Sequence, residues 1–287
     1  MRGLLTWHGI SRQAVHQGLK RLERRRRQLL QTLELADQVR EDHPSMSCRD
    51  IYYVKAEQMP RGRDWSEQFL LDHGYRIKKP VRSFTVAGKD ICSNLIEGLE
   101  ITGSYQVWQT DITFKWVGGR WYYVSFIFDV YTRKVIHEHC SQDLSSQGQI
   151  QCLQGALRKI PPSQRKSLII HTDRGVQYTA GEYKHFLKRQ GLTHSMAHYA
   201  WENAYCERFH RTIKHNYLKF YRMNTFKELQ QGVAKAVRMY NTYKPHRKLP
   251  ARMSPEQFVQ AQKEGRYAEY TVKIWSKLTS TKMLNVN

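Results

Sequence analysis

His171-Thr172-Asp173-Arg174-Gly175 closes the short apolar run Ser167-Leu168-Ile169-Ile170, and 34 positions after Asp173 stands Glu207, inside Glu202-Asn203-Ala204-Tyr205-Cys206-Glu207-Arg208-Phe209. The first stretch reads as a buried strand that ends in an acid, and the second as a helix. At about 100° per residue, Asn203, Glu207, His210 and Lys214 share one face of that helix, while Cys206, Phe209, Ile213 and Tyr217 form an apolar stripe. The helix can therefore bury one side and hold a carboxylate and an amine on the other. Upstream, Trp108-Gln109-Thr110-Asp111-Ile112-Thr113 supplies a third acid in the middle of a strand-like run.

Working outward, residues 107–116 and 121–130 are rich in β-branched and aromatic side chains and flank Val117-Gly118-Gly119-Arg120, a hairpin signal. Residues 134–140 read as a third strand and 192–196 as a fifth, after the 167–171 run. Helices are expected over 146–160, stopped by Pro161-Pro162; from a capping-box spacing at Thr179 and Glu182 to Gly191; after Glu202; from Thr225; and from Ser254 with Pro255 at its first position. Three strands, then helix, strand, helix, strand and a long helix, is an α/β order with a mixed sheet, the order of the ribonuclease H-like fold. Ahead of it lies an all-α region. One helix is expected from residue 10 to about 41 with Ser11 as N-cap, and two more at 48–58 and 65–73, the last with Asp64 and Glu67 at capping-box spacing and Gly74 as its stop. Short helices separated by tight turns suit a helix-turn-helix module. The expected domains are 1–80, a helical helix-turn-helix DNA-binding region; 81–103, a linker; 104–222, the catalytic core; 223–262, C-terminal helices of the core; and 263–287, a basic tail.

Composition narrows the partners. A net charge of +22 with a pI near 9.9 calls for a polyanion, nucleic acid before membrane. No apolar run approaches a membrane span and no signal-peptide core opens the chain, so the expected location is intracellular. Five scattered cysteines without a CxxC pair argue against a disulfide framework or a structural zinc. His137, His139 and Cys140 read as strand alternation rather than ligands. Arg24, Arg25, Arg26 and Arg27 put charge around the first helix, either as a solvated helix or as phosphate contacts.

Phosphoryl transfer needs neutralisation of the charge between the attacking and leaving oxygens, and hard carboxylates holding two divalent ions can supply it. Mg²⁺, or Mn²⁺, suits such a set. Asp111, Asp173 and Glu207 are the expected catalytic and metal-binding acids, brought together only if their strands are neighbours. Two competitors stand beside them. Asp129 precedes Tyr131-Thr132-Arg133 and reads more simply as a turn residue. Glu202 lies about 140° from Glu207 around the helix, so only one of the two can face the site; Lys214 on the Glu207 face favours Glu207. Lys214, His210, Asn203 and Arg24 to Arg27 are the expected DNA contacts.

Trp108 to Thr113, Phe128-Asp129-Val130-Tyr131-Thr132-Arg133-Lys134-Val135, His171 to Tyr178, Glu202 to Phe209 with Lys214, and Tyr240-Asn241 with Pro245-His246 together resemble the integrase-core transposases of bacterial insertion sequences. They are most like the second-reading-frame (OrfB) product of IS-three-type elements, whose DDE core is shared with retroviral integrases. The resemblance spans roughly residues 104–259. It implies that Asp111, Asp173 and Glu207 are the catalytic triad, with Lys214 as the basic residue seven positions on. Two departures are visible: the family's 36-residue step between its last two acids is 34 here, and its Asp-Asn-Ala is Glu202-Asn203-Ala204. The resemblance also implies a transposase of bacterial cytoplasm, associated with the nucleoid, that binds terminal inverted repeats and target DNA as double strands, cleaves a 3′ end and transfers the strand. It further implies a homo-oligomer, and a frameshift fusion to an upstream-frame protein. The rival readings are a catalytically inactive DNA-binding regulator and a nuclease of the same fold that hydrolyses without joining.

Overall fold

Ser11 starts the first helix, α1 (Arg12–Asp42), by accepting a hydrogen bond from the Ala14 N–H through its side chain. The computed structural model describes residues 11–77 and 92–276. These fall into two compact units divided between Lys79 and Pro80. In the first, α1 is followed by α2 (Cys48–Val54) and α3 (Arg63–Asp72). Ala36, Val39, Met46, Ile51, Phe69 and Leu70 make their shared core. The N-terminal half of α1 reaches beyond that core, leaving Leu19 and Leu22 exposed and Arg24 to Arg27 in solvent. The expected capping box at Asp64 does not form. Gly62 is the N-cap, Asp64 pairs with Arg63, and Glu67 is drawn to Arg49 at 2.6 Å. Gly74 ends α3 with φ of +88°, which only glycine adopts cheaply.

The second unit is built on a five-stranded mixed sheet. Its strands are β2 (Val107–Val117), β3 (Arg120–Asp129), β4 (Val135–Ser141), β5 (Ile169–Thr172) and β6 (Thr193–Met196). Across the sheet the order is β4-β3-β2-β5-β6, with the first three antiparallel and β5 and β6 parallel to β2. This is the ribonuclease H-like arrangement. Gly118 and Gly119 turn the hairpin with φ of +53° and +84°, as a two-residue type I′ loop requires. A side chain at Gly118 would sit 2.3 Å from the Asn224 carbonyl oxygen, so the turn is glycine for space as well as conformation.

One face of the sheet is covered by α4 (Ser146–Leu157), α5 (Val176–Thr179) and α6 (Gly181–Arg189) through Ile150, Leu153, Leu157, Tyr183 and Phe186. The other is covered by α7 (Ala204–Ile213) and α8 (Phe226–Thr242) through Phe209, Ile213, Leu229, Val233 and Val237. Each such fully buried side chain contributes about 1.5–3 kcal/mol. Thr225 and Glu228 cap α8 reciprocally, as do Ser254 and Gln257 for α9 (Pro255–Lys263). The box expected at Thr179 is absent. Ala180 is the N-cap of α6 and Glu182 instead accepts from Ser146 Oγ.

The expected linker and tail are both partly folded into this unit. Residues 78–91 and 277–287 lie outside the described set. From Cys92, however, the chain packs on the core: Leu95 N–H donates to Ser195 Oγ at 2.9 Å and Ile96 is buried. β1 (Glu100–Ile101) pairs antiparallel with β7 (Val272–Lys273), closing a cluster of Ile96, Ile101, Tyr131, Phe258, Val272 and Ile274. Among the described residues, no helix is long and apolar enough to cross a membrane.

Candidate active site

β5 pairs with β2 only over Val107, Trp108 and Gln109, so from Thr110 onward that edge of β2 has no strand beside it. Asp111 lies at the start of this open edge, and Asp173 follows the last residue of the neighbouring β5. Adjacent strands therefore bring two acids far apart in sequence to one end of the sheet. α7 runs above β2, and Gln109 fixes it there: its side chain accepts from Cys206 N–H at 3.0 Å and donates to the Glu202 carbonyl at 3.3 Å. That tie sets the height of Glu207 over Asp111.

In both aspartates Oδ1 is already held by backbone, from Ile112 N–H at 2.7 Å for Asp111 and from Gly175 N–H at 2.9 Å for Asp173. The Asp173 turn leaves no room: a methyl at Gly175 would lie 3.0 Å from Asp173 Oδ1 and 2.8 Å from Gln177 Oε1. Burial, reinforced by the neighbouring Asp173 charge, pushes the Asp111 carboxyl up to about 8. Burial also raises Asp173. Two half-buried carboxylates at one end of the sheet, one raised by the charge of the other, are a site short of positive charge. Hard oxygen donors held rigidly by their own backbone fit a divalent cation, and Asp111, Asp173 and Glu207 are the acids available to it. Among the described residues, no three His, Cys, Asp or Glu side chains are close enough to hold a metal as they stand. The Glu207 carboxylate is exposed and lies 3.5 Å from Arg211, one turn along α7.

The face predicted on α7 is only partly available to DNA. His210 is buried at 6% exposure between Phe126 and Phe209, with Nδ1 3.5 Å from Asp111 Oδ2. Burial first, then Lys214, holds its imidazole down to about 3, so it is neutral there. Asn203 is buried to the same 6%. Neither side chain is exposed, because the edge of that helical arc nearest His210 lies on the sheet rather than in solvent. Lys214 begins a π-helical turn (Lys214–Leu218), and its Nζ sits 4.7 Å over the Phe114 ring within electrostatic reach of Asp111. Burial lowers its affinity for the proton.

The competitors are engaged elsewhere. Glu202 caps the turn Ala200–Asn203, accepting from His198 N–H at 2.5 Å and Tyr199 N–H at 3.2 Å. Asp129 is fully buried and accepts from Thr132 N–H, Thr132 Oγ, Tyr105 N–H and Trp108 Nε1, as a turn residue does. His137 belongs to strand β4 and packs against Gly155 of α4. Two neighbours of the acids escape sequence reasoning. One is Gly175, whose only signal is its place after Asp-Arg. The other is Tyr178, a buried phenol 3.4 Å from Thr110 Oγ, its proton held on by burial first and then by both aspartates.

Two family models described as integrase core domain match the chain, over residues 102–199 and 190–255. Transposase InsF for insertion sequence IS3A of Escherichia coli (strain K12) is 34% identical over 137 residues, 46% of each chain. The 31 kDa protein of insertion element IS600 of Shigella sonnei is 32% identical over 161 residues, 55% of this chain and 58% of the relative. The chain thus spans about half the length of the curated relatives it matches. Among solved structures, the HTLV-2 integrase catalytic core domain in complex with magnesium is similar at 19% identity and a TM-score of 0.42, over 57% of this chain and 98% of that one. The BIV integrase catalytic core domain is similar at 16% identity and a TM-score of 0.43, over 56% and 98%.

Proposed function

We propose, from the integrase core that residues 102–255 carry, that this chain is a DNA transposase that cleaves a strand at an element's 3′ end and joins it to a second site. The observation that carries the reading is the placing of two half-buried carboxylates, Asp111 beside the open edge of β2 and Asp173 at the end of the adjacent β5, under a helix bearing Glu207. Divalent ions held by these three acids, two of them and of the Mg²⁺ type, would supply charge neutralisation at the scissile phosphate and acidify the attacking hydroxyl. In cleavage the attacking oxygen comes from water, and in joining from the freed 3′-hydroxyl. A new P–O bond forms in line as the old one breaks, so one site serves both steps.

The chain's own residues prepare that site. Ile112 and Gly175 N–H groups lock one oxygen of each aspartate and so aim the other. His210, neutral and packed between aromatic rings, keeps water from the inner side of Asp111 without competing for its charge. Lys214 carries positive charge at the open edge, where a phosphodiester would lie. Glu207 exchanges its Arg211 contact for the site. Arg24 to Arg27 on α1 are a ready source of phosphate contacts in the helical unit, which is read as the repeat-binding part. Pairing two element ends calls for two or more copies, and the family resemblance adds an upstream-frame DNA-binding partner.

The test is a labelled terminal-repeat duplex incubated with the full chain and Mg²⁺. Nicked and joined products are expected, and Asp111→Asn, Asp173→Asn and Glu207→Gln should each abolish both while retaining the gel shift. A shift without nicking makes the chain a regulator; nicks without joints make it a nuclease.

A further inference from the structure

Beyond Asp111 the β2–β3 hairpin carries an aromatic surface that the reaction just described does not use. Phe114, Trp116 and Trp121 are 40%, 53% and 49% exposed, and their rings meet edge to face at 5.5 Å for Phe114 with Trp121 and 5.2 Å for Trp116 with Trp121. Cross-strand pairing sets Trp116 opposite Trp121 and Phe114 opposite Tyr123, so the rings stand together on one face of the ribbon. Trp116 and Trp121 contribute little to the protein's own core. Pleating puts Phe114 and Trp116 on the face opposite Asp111, and Lys214 links the two around the open edge of β2, its ammonium 4.7 Å over the Phe114 ring and attracted by the Asp111 charge.

The charge around the cluster selects its occupant. From Ile112 to Ser125 the hairpin bears no acid; its own cations, Lys115 and Arg120, share the opposite face with Tyr122 and Val117, so the cation beside the rings is Lys214. Arg120 lies over Tyr122 at 5.1 Å. A second copy of a chain with net charge +22 would bring like charges together here. Nucleic acid meets both features, offering flat apolar bases to the indoles and a phosphate to Lys214. A paired duplex shows mainly phosphate and sugar, for which arginines would suffice. Exposed indoles beside an ammonium match bases that have left the stack.

We infer that Phe114, Trp116 and Trp121 form a stacking platform for unpaired nucleobases of the DNA strand whose phosphate lies at Asp111 and Asp173. This rests on the transposase reading and adds to it a second, base-contacting subsite. The platform would hold the strands apart next to the phosphate under attack, which gives the in-line nucleophile access that a closed duplex denies.

The probes are a 30-base-pair duplex with blunt ends and the same duplex carrying a three-thymidine single-stranded extension, each measured by fluorescence anisotropy with the full chain. The wild type should bind the extended duplex about 5- to 150-fold more tightly, the range for one stacked base. The double substitution Trp116→Ala with Trp121→Ala should lose that preference and keep the blunt-duplex affinity. Trp116→Phe with Trp121→Phe should retain most of the preference, since a π face remains, and thermal melts of all three proteins confirm a common fold. A wild type without preference, or an alanine variant that keeps it, overturns the platform. An alanine variant that becomes monomeric where the wild type is dimeric, with the preference intact, assigns the rings to a second copy and overturns it as well. Failure of the wild type to bind either duplex removes the transposase reading along with the platform, whereas blunt binding alone removes only the platform.

Discussion

Asp111→Asn should make the metal-free protein more stable while destroying its activity. The substitution keeps the shape and the Oδ1 acceptor for Ile112 N–H, and removes a charge that burial and Asp173 oppose. An aspartate in the unfolded chain titrates near 3.9. Folding raises it to about 8, so the folded state binds the proton more tightly. Below about pH 4 the carboxyl is neutral in both states and full stability is present; stability is then lost as the pH rises through the interval to 8. At pH 7 the gap from the unfolded value is about three units, or about 4 kcal/mol at 1.36 kcal/mol per unit. The Asp111 side chain is 24% exposed, and solvent screening reduces this to about 2 kcal/mol. Urea unfolding in EDTA at pH 4.5 and 8.0 measures it. The variant should come within about 1 kcal/mol of the wild type at the lower pH, where the unfolded carboxyl is already mostly ionised, and exceed it by about 2–3 kcal/mol at the higher. Added Mg²⁺ should recover stability for the wild type, by RT ln(1 + [L]/Kd), and much less for the variant. A variant less stable at pH 8.0, or a difference equal at both values, refutes the reasoning that these carboxylates strain the fold.

Three further outcomes are expected. Glu202→Ala should cost about 0.5–2 kcal/mol through loss of its cap and keep nicking activity, whereas Glu207→Gln should melt as the wild type does and lose nicking; thermal melts and the labelled-duplex assay separate the two. Gly175→Ala should lower the cleavage rate at least tenfold with little change in melting temperature, because the new methyl displaces Asp173 rather than the core; single-turnover kinetics reads it. Asp129→Asn should cost about 3 kcal/mol, since its amide turns donors toward groups that now donate to a carboxylate, and urea titration reports the shift.

The fold was legible where local chemistry and tertiary packing agree. The hairpin declared itself because β-branched and aromatic residues flank Gly118-Gly119, and the caps at Ser11, Thr225 and Ser254 formed where their side chains had nothing better to bind. Asp64 and Thr179 carried the same spacing and failed, since Glu67 and Glu182 found tertiary partners in Arg49 and Ser146. A two-residue pairing such as β1 with β7 has no periodicity to read. At the site, the three acids and Lys214 stood out as residue types in a pattern. The burial of His210 and Asn203 did not, because a helical projection says which residues share an arc and not which part of that arc lies on a sheet. Gln109, which ties α7 to β2, looks in sequence like any strand glutamine.

The pairing of Ile101 with Val272 also bears on the order of events during synthesis. These residues are 171 positions apart, and Ile96 and Ile101 complete their apolar cluster only with Val272 and Ile274. At about 5–20 residues per second, the ribosome needs roughly 10–35 s to make the intervening chain. Throughout that interval Glu100 and Ile101 have no strand partner, and Ile96 and Ile101 lack the cover of Val272 and Ile274. A nascent chain therefore carries a finished α1–α3 unit well before this cluster can close.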